Sequence, residues 1–131
     1  MLVLDANIII ELERGNTRVT GELEKLREKH PGNIAVSSPA YAEAYYGLLA
    51  AAREMPDNAF ANLEKFEVLA FDKQSAQVFS RLKLQLEKAG QMIPLLDLLI
   101  SAIVIQAGAV LFSSDEHFKK VPGLKLVLLR T

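Results

Sequence analysis

The segment IPLLDLLISAIVIQAGAVLFSSD, Ile93 to Asp115, decides how this chain is read. It describes a nearly all-apolar helix that runs through Gln106 and Gly108 into a short apolar strand. Asp97 falls in the first turns of that helix and Asp115 just beyond the strand. An ionised carboxylate costs several kcal/mol to bury unless something compensates it, so the segment must supply a partner or use the charge. A membrane span is the rival reading. A charge at mid-bilayer costs roughly 2.5–3.5 kcal/mol on insertion scales, and Pro94, Gln106 and Gly108 interrupt the run further. The buried helix of a soluble domain carrying a functional acid fits better, and no membrane association is expected.

The rest of the composition agrees. At 131 residues the chain suits one domain, 1–131, with a core that needs neither disulfides nor a structural metal. Half the residues are hydrophobic and 24% are charged, the balance of an ordinary compact protein. With no cysteine, a disulfide frame, a zinc–thiolate site and a cysteine nucleophile are all excluded, and a cytoplasmic location is expected. The start, MLVLDANIII, has no basic stretch and meets an acid at Asp5, unlike a signal peptide. A net charge of −1 argues against bulk polyanion binding but leaves room for local basic patches. There is no internal repeat, low-complexity run or linker.

Outward from the central segment, strands and helices alternate. Residues 1–4 (MLVL) form an apolar run without alternation, as in a strand covered on both faces, and it ends at Asp5. ANIIIELERG reads as a helix closed by Gly15, and Val19 to His30 as a second, stopped by Pro31-Gly32. NIAVSS is the next strand, with Ser38 as N-cap and Pro39 as first-turn proline of the helix AYAEAYYGLLAAAREM. Asp57 caps a short helix through Lys65, FEVLAF is a strand, and Asp72 caps the long amphipathic helix that stops at Gly90. After the central helix come the strand AVLF, a turn of helix around Glu116 to Lys120, and a last strand, KLVLL. The pattern predicts an α/β domain with a central parallel sheet of about five strands flanked by helices. In such sheets the ligand crevice lies beyond the carboxyl ends of the strands.

Four acids are predicted to meet at that edge. Asp5 and Asp115 each follow a strand directly, while Glu43 and Asp97 lie only ~4–6 Å along helices that begin there. Each has a plainer reading: Asp5 and Asp115 as turn or cap residues, Glu43 as a solvated helix residue. The charge balance favours the set. No lysine or arginine occurs in residues 1–13, 30–52 or 89–118, the windows that contain the acids. Two like charges 4 Å apart repel by ~4 kcal/mol at an effective dielectric of 20, so such a cluster needs cations or shared protons. Oxygen ligands without cysteine or histidine suit a hard cation such as Mg²⁺ or Mn²⁺, which would activate water against a phosphodiester. His30 reads as a helix-end residue and His117 as an exposed one, neither of them a ligand. Asn7, Ser38, Ser113 and Ser114 are nearby polar groups that would hold waters or orient the acids, or serve as turns and caps.

These residues resemble a PIN domain, and more narrowly the VapC-type ribonuclease toxins of prokaryotic toxin–antitoxin pairs. The likeness rests on LDAN (Leu4–Asn7), SSPAYAE (Ser37–Glu43), GQMIPLLDLLISA (Gly90–Ala102) and LFSSDEHFKKVPGL (Leu111–Leu124), and it spans the whole chain. It implies a metal-dependent endoribonuclease whose acidic site is Asp5, Glu43, Asp97 and Asp115, with Asn7 and Ser113 beside it. Ser113 stands where threonine is common, and Ala6 where threonine or serine is. The resemblance further implies a homodimer, a cognate antitoxin that occludes the acids, and an RNA substrate.

Lys119, Lys120 and Arg14 head the candidates for phosphate contacts, ahead of Arg18, Arg53, Lys73, Arg81 and Lys83; a solvated charged surface is the alternative for each. Ile8 to Leu12, Val19, Leu23 and Leu26 would form either a groove for an antitoxin helix or part of the core. Other functions use the same residues: a nuclease of this fold acting on DNA or in RNA processing, or an inactive PIN-like binding module. A phosphate-switch receiver domain normally carries paired acids after its first strand and a lysine after its last. Here Asp5 stands alone and the chain closes Leu128-Leu129-Arg130-Thr131.

Overall fold

Consecutive apolar residues without polar alternation are stable as a strand only where both faces are covered. Leu2–Leu4 meets that condition as β1, every residue of it buried. A computed structural model describes residues 1–129; Arg130 and Thr131, which bear on the receiver-domain alternative, lie outside the described residues. The other strands are β2 (Ile34–Ser37), β3 (Glu67–Leu69), β4 (Val110–Ser113) and β5 (Lys125–Leu128). They form a five-stranded sheet in the order β3-β2-β1-β4-β5, with every neighbouring pair parallel. Leu2 is in register with Ile34 on one side and Val110 on the other, so β1 is the middle strand.

The chain moves outward from β1 through β2 to β3, then returns to the other side of β1 for β4 and β5. That reversal is the topological switch point, and it lies between β1 and β4. Helices α1 (Ala6–Glu13), α2 (Thr17–Lys29), α3 (Ser38–Ala50), α4 (Ala59–Glu64), α5 (Lys73–Ala89) and α6 (Leu95–Gln106) supply the flanking layers. In α6, the residues Leu98 and Ile100 to Val104 are buried, which accounts for the unbroken apolar run of the sequence. Among the described residues no helix is long and apolar enough to cross a membrane.

Several boundaries differ from the expected ones for local reasons. Helix α2 starts at Thr17, before the expected Val19, because the Asn16 side chain accepts hydrogen bonds from the backbone N–H groups of Arg18 and Val19. The cap of α3 is Ser37, not Ser38: the Ser37 hydroxyl oxygen accepts from the Ala40 N–H at 3.3 Å, and Ser38 is already helical. Helix α3 stops at Ala50, and Ala52–Glu54 form a separate 3-10 turn. Asn58 rather than Asp57 stands at the start of α4, without a side-chain cap. Strand β3 is shorter than FEVLAF because it is an edge strand with one neighbour, and pairing ends at Leu69. Of the apolar residues considered for a partner groove, Ile8, Ile9, Val19 and Leu26 are core, while Ile10, Leu12 and Leu23 pack against it and remain partly open.

Because Ile100 is fully buried, Ile100→Ala should lower stability to denaturant by about 2–5 kcal/mol. Gln106→Ala, exposed on the same helix, should stay within about 0.5 kcal/mol in the same unfolding measurement. Equal effects at the two positions would contradict the buried face assigned to α6.

Candidate active site

A residue directly after a central strand is held at the sheet edge by the strand's own ladder. Asp5 follows β1, and its N–H donates to Phe112 O of β4 at 2.9 Å. The same residue caps α1: its Oδ1 accepts from Ala6 N–H at 2.9 Å. Its Oδ2 accepts from the Ser113 hydroxyl at 2.6 Å, with both residues buried. That hydroxyl oxygen also accepts from the Asp115 N–H at 3.0 Å, so Ser113 ties together the two acids that flank the switch point. Burial raises the Asp5 carboxyl above its usual 3.8, the Ser113 and Ala6 donors oppose that rise, and Asp115 adds to it. The cap reading and the cluster reading of Asp5 are both realised.

Asp97 reaches the same place from α6. The helix runs toward the amino end of β4, so its own first turn lies at the carboxyl edge of the sheet. A carboxylate there gains from the partial positive charge of the helix N-terminus. Desolvation, then Asp115 and Asp5, nevertheless raises Asp97 to about 6, against the lowering effect of His117. Glu43, one turn into α3, is raised to about 7 by partial desolvation and by repulsion from Asp5, Asp97 and Asp115, although it keeps a side open to water. All four predicted acids therefore share one crevice. Among the described residues no lysine or arginine makes an ion pair with any of them.

An imidazole does stand there, and it belongs to the residue set aside in the sequence. His117 is neither isolated nor remote: its Nδ1 lies 3.3 Å from Asp97 Oδ2 and 3.2 Å from Asp115 Oδ1. The cause is local. Asp115 caps the 3-10 turn Glu116–Lys120 by accepting from the His117 N–H at 2.9 Å, which folds residue 117 back over the acid. An acid after a strand with histidine two positions on was the available signal. His30 is, as expected, the residue that ends α2.

The remaining candidates divide. Asn7, in the first turn of α1, has a buried Oδ1 without a hydrogen-bond partner among the described residues. Among the described residues no hydrogen bond joins Ser38 to an acid. Lys119 is exposed and paired with Glu116 at 3.2 Å, and Lys120 is exposed beside it. Arg14 pairs with Glu11 at 3.3 Å beyond the far end of α1, about 12 Å of helix away from the acids. A hollow of about 590 Å³ between Arg27, Asn33, Asn62 and Lys65 lies at the opposite, amino-terminal edge of the sheet.

Carboxylate oxygens that no lysine or arginine among the described residues pairs, with an amide oxygen that has no partner among them, form a donor set that fits a divalent cation. Ligand atoms of Asp97, Asp115 and His117 lie within 4.8 Å of one another.

This arrangement defines a class: an α/β protein with an acidic centre at the switch point of a parallel sheet. The chain belongs to the PIN domain family, whose model matches residues 2–124. It is 30% identical over 128 residues to ribonuclease VapC2 of Haemophilus influenzae, covering 94% of this chain and 93% of that one. It is 27% identical to ribonuclease VapC5 of Mycobacterium tuberculosis, covering 92% and 87% respectively. The crystal structure of VapBC2 from Rickettsia felis bound to a DNA fragment from their promoter superposes with a TM-score of 0.81, at 25% identity and 98% coverage of both chains.

The acid pKa directions fix a pH response for the metal-free protein. Glu43 keeps its proton to about 7 when folded and loses it near 4.5 in the unfolded chain, so the native state binds more protons between those values. Its contribution to stability is complete below 4.5 and is lost as pH rises through about 7. Melting temperature measured in chelator should therefore fall across that window, and Glu43→Gln should flatten the decline. An unchanged slope in that variant would remove Glu43 from the cluster.

Proposed function

We propose that this chain is a metal-dependent endoribonuclease, the toxin of a toxin–antitoxin pair. The observation that supports it most is the convergence of Asp5, Glu43, Asp97 and Asp115, unpaired by any lysine or arginine among the described residues, at the switch point between β1 and β4. Relatives named as ribonucleases over nearly their whole length support the same reading. Asp5, Asp97 and Asp115, with Glu43, would hold Mg²⁺ or Mn²⁺. A bound divalent cation supplies Lewis acidity toward a phosphodiester and offsets the charge that builds on its non-bridging oxygens.

The chain's own groups do the positioning. Ser113 orients Asp5 and the backbone at Asp115 through one hydroxyl. Asn7 offers its free amide oxygen to the ligand sphere or to a water within it. Lys119 and Lys120 follow the acid edge closely enough to meet the phosphates flanking the scissile bond, with Arg14 a more distant contact. In this reading water, and not a side chain, is the nucleophile. A homodimer, a cognate antitoxin that covers the acids, and a cytoplasmic site of action complete the proposal. The likeness to a VapBC complex supports the antitoxin.

Asp97→Asn keeps the size of the side chain and removes its charge. Cleavage of RNA by the purified variant in Mg²⁺ should fall by more than about 100-fold, with the far-ultraviolet dichroism unchanged. A folded variant that still cleaves at the parental rate would refute the assignment. Sequencing RNA ends after brief induced expression identifies the target.

A further inference from the structure

Resting on that acidic centre, we infer that His117 Nδ1 is itself a metal ligand, which makes this a mixed nitrogen–oxygen site that prefers Mn²⁺ to Mg²⁺. The geometry carries the inference. Nδ1 sits almost equally far from two carboxylate oxygens on different segments, 3.3 Å from Asp97 Oδ2 and 3.2 Å from Asp115 Oδ1. Charge-assisted N–H···O bonds run about 2.7–2.9 Å, and a single ring N–H satisfies one acceptor well and two poorly. Metal bonds of about 2.1 Å at right angles, by contrast, put neighbouring donor atoms about 3.0 Å apart. Three donor atoms within 4.8 Å of one another match a shared cation better than a forked hydrogen bond.

The ring is also held where a ligand must be. The His117 N–H to Asp115 Oδ1 bond of 2.9 Å anchors its backbone, and buried Phe118 pins the same turn to the core. The imidazole is 50% exposed, so a hydrated ion has access to it, whereas Asp97 is only 14% exposed. Imidazole suits first-row transition cations, whereas Mg²⁺ keeps oxygen ligands and several waters. A nitrogen in the set therefore shifts preference away from Mg²⁺ without excluding it.

The test is binding, read apart from turnover. Metal-stripped protein and its His117→Ala variant are titrated with Mn²⁺ and with Mg²⁺ in a calorimeter. Nitrogen hyperfine coupling is sought by pulsed electron paramagnetic resonance of the Mn²⁺-loaded proteins. Loss of the imidazole should weaken Mn²⁺ by about 10- to 100-fold and Mg²⁺ by less than about 3-fold, and abolish a nitrogen coupling present in the parent. Equal weakening of both ions, or Mn²⁺ bound by the parent with no nitrogen coupling, overturns the inference and leaves the four-acid centre standing. If Asp97→Asn still binds Mn²⁺ like the parent, the acidic centre falls and the role of His117 falls with it.

Discussion

Mutual repulsion of carboxylates governs this molecule. Two negative charges 4 Å apart cost ~4 kcal/mol at an effective dielectric of 20, comparable with the whole stability margin of a small domain, and here four acids share a crevice. The frame that holds them in place is apolar and buried on both faces: β1 and β4 at the sheet centre, with α1, α3 and α6 packed over them. Local devices relieve part of the strain. Asp5 accepts two hydrogen bonds, Asp97 faces a helix N-terminus, and His117 stands between Asp97 and Asp115. Desolvation, with the repulsion that remains added to it, raises the carboxyls of Glu43 and Asp97.

Position follows from connectivity. With the order β3-β2-β1-β4-β5, the chain leaves the sheet in opposite directions after β1 and β4, which opens a gap above their carboxyl ends. The acids that follow those strands reach the gap without any loop to support them. Helix α6 contributes from its first turn and α3 from one turn further in, close to ends set by Pro94 and by the Ser37 cap. A site built on element ends in this way is stiffer than one built on loops.

Much of this was legible in the residues. The unalternating MLVL, the apolar run through α6 and the position of acids after strands were enough for the sheet type and for all four acids. Strand order was not, because period and turn signals do not say which neighbour a strand takes. The cap of α3 was misplaced by one residue because Ser37 and Ser38 are chemically identical and Pro39 accepts either alignment. Strand β3 was drawn too long because an edge strand ends where its single partner ends. His117 reads in the sequence as an exposed residue, and exposed it is; what the reading lacks is the tight turn, capped by Asp115, that brings its ring to the acids. A contact assembled within a turn leaves only this short-range trace.

The bond from Ser113 to Asp5 joins residues separated by 108 positions. In chain order β1 precedes every other strand and its partner β4 follows β2 and β3, so their pairing waits on the closure of a long loop. A nascent chain emerging from the ribosome carries Asp5 and Glu43 long before it carries the counterparts that complete the crevice. During synthesis the acidic centre is therefore incomplete until the segment bearing Asp97 and Asp115 has joined the sheet beside β1.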